Sequence, residues 1–295
     1  MQKLTEAQRD IFQSEGAVVV EDVLTDDDLG PVIDEIAEFV NRRTLELKAD
    51  GRIDDPCEGS PFERRYGELY AQCRDVRRGI DIMIQRGPAA FAFLHNENLL
   101  DLVEDFIGSE ITCNPIQHIR AKVPRKVAMD EPDIVHNVPW HQDAGVTWEE
   151  ADLTEIITFW IPLVDATEEN GCLQIMPGAF QQGYMSHHRD GDSTIVPDQL
   201  PDISPKPMPC RKGGMVVMTK YTPHRSCSNR SVGVRWSMDL RYQRTGEPTG
   251  RPFWPAFAVR SRHRSESILT DYDEWCRRWV EALENSKGVE WHRLK

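Results

Sequence analysis

The chain has 295 residues, enough for one large domain or two smaller ones. Its 35 Lys and Arg against 49 Asp and Glu leave a net charge of −14, which disfavours a nucleic-acid backbone as partner. No apolar run approaches a membrane span, the start from Met1 to Glu6 lacks the apolar core of a signal peptide, and the seven cysteines form no Cys-x-x-Cys pair, so the reading is a cytoplasmic protein with reduced thiols.

In chain order, residues 4–15 have the spacing of a short amphipathic helix that Gly16 ends, and Ala17 to Val20 reads as a short buried strand. Thr25 and Asp26 to Asp28 supply a cap and a negative first turn for a helix running to about Leu47. Residues 50–62 read as loop, and helical patterns return over 66–85 and 88–107, the second closed by Gly108. The period then changes. Short β-like runs over 111–122, 155–164, 172–177, 214–219 and 232–242 alternate with Gly and Pro turns, the pattern of a sandwich or barrel. Two long irregular stretches, 124–139 and 178–210, interrupt them, as lids and binding loops do. A last helix is expected from Asp271 to about Asn285, with Trp275, Trp279 and Leu283 on one face. The layout is one domain in three parts: a mostly helical 1–109, a β core over 110–245, and an extension with a helix over 246–295.

The chemistry centres on Val138-Pro139-Trp140-His141-Gln142-Asp143. On an extended strand, side chains two apart share a face, so His141 and Asp143 would converge on one point. They make two thirds of the two-histidine, one-carboxylate set that holds non-haem Fe(II) with open positions. His-x-Asp or His-x-Glu alone is a weak signal, and the chain has three such triplets. His95 and Glu97 fall in a predicted helix, where positions two apart diverge, and His188 and Asp190 fall in a predicted loop. The candidate third ligand is His224. The β segment from Val232 to Tyr242 carries Arg235 in surroundings that bury both faces, and a buried Arg demands a carboxylate partner. Either a protein acid or a dicarboxylate ligand such as 2-oxoglutarate would meet that demand.

Order and spacing sharpen this reading. The chain resembles the phytanoyl-CoA hydroxylase-like group of Fe(II)/2-oxoglutarate dioxygenases through Trp140-His141-Gln142-Asp143, Phe159-Trp160-Ile161-Pro162-Leu163, Asn170-Gly171-Cys172-Leu173, Met176-Pro177-Gly178 and His224-Arg225-Ser226 leading to Arg235. The resemblance covers roughly residues 110–245. It implies a mainly β protein with flanking helices around a double-stranded β-helix, the cupin-like jelly roll. It implies iron on His141, Asp143 and His224, with Arg235 and Ser226 on the far carboxylate of 2-oxoglutarate. The activity it implies is oxidation, most often hydroxylation, of an unactivated C–H of a small molecule by O₂, with release of succinate and CO₂. Asp143 argues against halogenation, since a chloride ligand needs a small residue there. The chain departs from the family at Gly213-Gly214, where many relatives have Gly-Asp, and at Ala179-Phe180, where Ser-His is common.

Other positions carry weaker expectations. Gln117, on the strand before the metal loop, is placed near the co-substrate, and Trp160 at the wall of its pocket. Lys122 is expected to be solvated. His118, Arg120 and Trp148 are candidates to face the substrate, and the cluster Arg120, Lys122, Arg125 and Lys126 points to an anionic one. Two rivals stand beside the oxygenase: a cupin-like metal enzyme that does not use 2-oxoglutarate, and a non-catalytic small-molecule-binding jelly roll. No membrane or nucleic-acid partner is expected.

Overall fold

A computed structural model describes residues 3–131, 137–190, 192–290 and 292–294. The helices come first: α1 (Glu6–Glu15), α2 (Asp26–Ala49), α3 (Phe62–Gln72), α4 (Ile82–Gln85), α5 (Pro88–Phe93) and α6 (Glu97–Ile107). Thr5 and Thr25 each form a capping box with the residue three positions on, which fixes where α1 and α2 begin. The two helices expected over 66–85 and 88–107 are both broken. A 3₁₀ turn over Arg74–Arg77 separates α3 from α4, and Asn96 caps α6 through its side chain, so the chain must leave α5 before that point. His95 therefore sits in a turn, not in a helix.

From Ile111 to Arg260 the described chain is strands joined by turns and short 3₁₀ segments. A seven-stranded antiparallel sheet runs in the order β1 (Ala17–Val20), β9 (Met215–Thr219), β4 (Ile157–Pro162), β11 (Arg235–Arg244), β2 (Ile111–Cys113) and β12 (Phe257–Arg260), with β3 (His118–Lys122) also paired to β11. A smaller sheet joins β10 (His224–Ser226), β5 (Leu173–Ile175) and β8 (Lys206–Met208). The stretch 178–210, expected to be irregular, holds β8 and a hairpin of β6 (His187–Asp190) and β7 (Asp192–Ile195). Residues 132–136 of the other irregular stretch lie outside the described residues.

Period-two alternation sorts each central strand into two roles. Ile157, Phe159 and Ile161, with Trp236, Met238, Leu240 and Tyr242, join the helices in one apolar core. Trp236 is its centre, packed on Phe62 and Tyr66 at ring separations of 5.2 and 5.0 Å. The opposite faces of β4 and β9 give Trp160, Val216 and Met218, which meet Leu173, Ile175 and Met208 of the smaller sheet in a second core. The space between these sheets, as in a jelly roll, is where polar residues of β11 project. The last helix, α7 (Tyr272–Asn285), buries Trp275 and Trp279 as expected.

Candidate metal centre

His141 and His224 are joined before any ion is considered. Each donates its backbone N–H to the other's carbonyl, at 3.0 and 2.9 Å, and their rings lie 4.1 Å apart. His141 Nδ1 sits 2.9 Å from the Pro139 carbonyl and His224 Nδ1 3.0 Å from that of Thr222. A carbonyl only accepts, so both Nδ1 atoms carry the proton and Nε2 is the nitrogen of each ring suited to bind an ion. Asp143 is not on a strand as expected. Gln142 is extended, but Asp143 opens a 3₁₀ turn over Asp143–Val146, and that turn swings its carboxylate to the histidines. One ligand atom from each of His141, Asp143 and His224 lies within 4.8 Å of the others, which suits a single ion. Imidazole and carboxylate donors match non-haem iron. The His188/Asp190 pair lies on β6, not in a loop, and is not brought to this site.

Asp143 is held by a cross-strand pair. Thr158 of β4 and Arg241 of β11 are register partners, and both address its carboxylate: Thr158 donates to Oδ2, and Arg241 Nη2 donates to Oδ1 at 2.6 Å. Burial alone would push this carboxyl up. Arg241, His224 and His141 outweigh it and hold the group well below the usual carboxylate range. Asp143 is thus ready to bind a cation without losing a proton.

A narrow pocket leads from the centre to Arg235, lined among others by Trp160, Met218, Leu173, Ser226 and Arg120. Arg235 is 2% exposed; its Nη1 donates to Ser237 Oγ at 2.7 Å and its guanidinium lies 4.9 Å from the Trp160 ring centre. Its Nε has no hydrogen-bond acceptor, and no carboxylate pairs with it among the described residues. Burial pushes it down to about 10. A buried, partly satisfied guanidinium at a pocket's end fits the far carboxylate of a dicarboxylate ligand. Lys122, expected in solvent, is buried as the register partner of Arg235, with Nζ on Asn137 at 3.0 Å. Burial and Arg235 push it well below the usual lysine range.

Two placements differ from expectation. Gln117 does not reach the pocket: its amide accepts from the Arg241 N–H at 3.1 Å and donates to the Arg241 carbonyl at 2.9 Å, because β2 and β3 leave a gap on β11 that this side chain fills. Trp148 does not line the metal-facing cavity either. The 3₁₀ turn after Asp143 carries it outward, where its N–H donates to the Glu290 carbonyl at 3.2 Å and its ring meets Phe253 at 5.2 Å. His118 and Arg120 do face a cavity beside the metal centre, His118 held by Asp81 at 2.8 Å and Arg120 by Asp239 at 2.5 Å. Arg241, Thr158 and Asp239 were absent from the sequence reading. For Arg241 and Asp239 the signal was the run of polar residues at every second position from Arg235 through Ser237; Thr158, a lone polar residue on the apolar strand β4, had only that contrast to mark it.

Jelly-roll topology, a largely buried two-histidine, one-carboxylate cluster and a basic pocket beside it fit a metal centre of the non-haem oxygenase kind. The chain belongs to the phytanoyl-CoA dioxygenase family, whose profile matches residues 12–237. That family comprises iron- and 2-oxoglutarate-dependent oxygenases. Among curated relatives, a zebrafish (Danio rerio) phytanoyl-CoA dioxygenase domain-containing protein 1 is 28% identical over 36% of this chain and 38% of its own. A methylphosphonate hydroxylase of Gimesia maris is 31% identical over 31% of this chain and 34% of its own. The matched stretches therefore span little more than a third of those relatives. Among solved structures, the non-heme monooxygenase ThoJ superposes with a TM-score of 0.63 at 15% identity, covering 95% of this chain and 99% of that one. The epimerase SnoN, in complex with Fe3+ and alpha ketoglutarate, gives 0.52 at 17% identity, covering 83% and 86%. These likenesses concern the fold.

Proposed function

We propose that this chain is a hydroxylase that couples oxidation of a small-molecule C–H to decarboxylation of 2-oxoglutarate, yielding the alcohol, succinate and CO₂. The observation that carries the reading is Arg235. A metal enzyme that does not use 2-oxoglutarate, or a binding jelly roll, has no need of a buried guanidinium in a pocket beside the metal ligands with no carboxylate paired to it among the described residues; Asp239, which lines the same pocket, is engaged by Arg120. Iron with O₂ and 2-oxoglutarate supplies the oxidising power. The protein's own part is to bind and to exclude. His141, His224 and Asp143 are the ligands. Thr158 and Arg241 keep Asp143 ionised and aimed. Arg235 and Ser226 take the far carboxylate, with Lys122 the cross-strand register partner of Arg235. Trp160, Leu173 and Met218 keep that end dry.

The whole chain is read as one domain acting on a small anionic substrate. The methylphosphonate hydroxylase and a 2-aminoethylphosphonate dioxygenase from an uncultured bacterium, by their names, act on small anions, which supports this. Among the described residues no helix is long and apolar enough to cross a membrane, and the cytoplasm is the proposed compartment. The test is succinate formation from 2-oxoglutarate with and without Fe(II). No iron-dependent succinate, with or without candidate substrates, would remove the oxygenase reading.

A further inference from the structure

A wider cavity of ≈ 310 Å³, not lined by Arg235, also opens at His141 and Asp143. Its wall is unevenly charged. Arg120, Arg241, Arg251, His118 and His292 line it, against two carboxylates, Asp81 and Asp143. Both carboxylates are engaged, Asp81 by His118 and Asp143 by Arg241. Arg251 is 3% exposed, donates Nε–H to the Val146 carbonyl at 2.6 Å and lies 4.7 Å from the Trp254 ring centre. Burial and the nearby Arg241 push it down to about 9, with Glu290 acting the other way. Arg120 and Arg241 are paired with Asp239 and Asp143, which leaves the buried Arg251, with His118 and His292 on the same wall, to favour an anion in the cavity.

His292 reaches the same wall from the far end of the chain, outside the family match at 12–237. Its neighbours anchor it to the metal loop. The Arg293 N–H donates to the Gly145 carbonyl at 2.9 Å, and the Arg293 side chain pairs with Asp152 at 2.5 Å and covers the Tyr184 ring at 4.1 Å. Tyr184 in turn donates its hydroxyl to the Arg293 carbonyl at 3.0 Å. Gly145 lies two residues after Asp143, so the segment is tied to the turn that presents a metal ligand.

We propose that the cavity seats its substrate by an oxyanionic group held between Arg251 and His292, and that the segment carrying His292 is a wall of the substrate site. This rests on the oxygenase reading only in naming the anion's carrier the substrate. The probes are inorganic sulfate, for a tetrahedral group, and acetate, for a carboxylate. Each is titrated by calorimetry into the full-length protein loaded anaerobically with Fe(II), with and without 2-oxoglutarate. The charge-transfer band of bound 2-oxoglutarate is followed in parallel. We expect saturable binding of at least one anion with 2-oxoglutarate in place, the tighter one naming the group. Arg251→Gln should weaken it roughly tenfold, as loss of a charge-assisted contact does. His292→Ala should weaken it by a smaller factor, Arg251→Lys should recover part of it, and the band should not change. Arg251 also holds Val146, so if Arg251→Gln fails to fold, the half-buried His292 carries the test. Absence of saturable binding, or equal affinity in His292→Ala and wild type, overturns the proposal. A missing charge-transfer band in wild type would sink the co-substrate reading instead, while the calorimetry still decides this one.

Discussion

The two cavities share His141, Arg120, Val138 and Arg241, but they are built differently. The narrow one is made almost wholly by strands of the two sheets and the bridge between His141 and His224. Many of its side chains reach it by period-two alternation: Thr158 and Trp160 on β4, His224 and Ser226 on β10, Arg235, Asp239 and Arg241 on β11. The wide one takes Asp81 and Met83 from α4 and the turn before it, and Arg251, Trp254 and His292 from beyond the sheet. Register between paired strands cannot drift without turning every side chain to the wrong face, so the first pocket is rigidly specified. Loops and short helices carry no such constraint, and the second is free to vary with the ligand it must fit.

The most severe way to break this contrast is at the shared edge. His141→Ala, Asp143→Ala and His224→Ala should each bring iron-dependent succinate formation to background. Asp143→Ala should also destabilise the fold by about 3–5 kcal/mol, because it strands the buried Arg241 guanidinium, and urea denaturation should separate it from His141→Ala on that count. At the narrow end, Arg235→Ala should weaken 2-oxoglutarate binding at least about tenfold in an anaerobic titration, with iron affinity little changed. Arg235→Lys should fall between the two, keeping charge but losing the fork.

A pH series probes the support behind the metal loop. His187 is buried and accepts the Gln142 N–H at Nε2. Burial, with His141 nearby, lowers it to about 4 from its ordinary 6.5. Below 6.5 the unfolded chain takes a proton that the native state refuses, so stability present above 6.5 is lost as pH falls toward 4. The loss is about 1.4 kcal/mol per pH unit over that window, and thermal unfolding of His187→Gln should show a flatter pH dependence than wild type. The smallest effect is expected at Trp148→Phe. It removes one hydrogen bond to the Glu290 carbonyl, about 1 kcal/mol of stability, and should leave 2-oxoglutarate affinity unchanged; a change in that affinity would place Trp148 in the co-substrate half after all.

The same division governs what was legible in the sequence. His141, His224, Ser226, Trp160 and Arg235 all line the narrow pocket, where motif spacing and strand pairing agree, whereas Asp143 joins the histidines through a 3₁₀ turn that the His-x-Asp spacing did not foretell. Arg241 was missed although it obeys the same alternation; Gln243 and Arg244, which follow Tyr242, break the pattern at the strand's end. Gln117 was misplaced because a side chain beside a strand gap is drawn to backbone groups that the sequence does not reveal as unpaired. Lys122 was misjudged because a lysine's burial depends on its cross-strand partner, here Arg235. Asp81, Arg251 and His292 lie far apart along the chain, and no local pattern joins them.

The mutual backbone bridge between His141 and His224 bears on how the protein meets its metal. The two imidazoles are set by main-chain pairing and by the carbonyls of Pro139 and Thr222, not by an ion. Ordering these ligands is therefore done during folding and need not be repeated when the ion arrives. A chelator should strip such a protein and leave it folded, and iron returned later should restore it without a refolding lag. The same scaffold should accept Ni(II) or Zn(II) as readily as iron, so which ion it carries in a cell would follow supply more than selection.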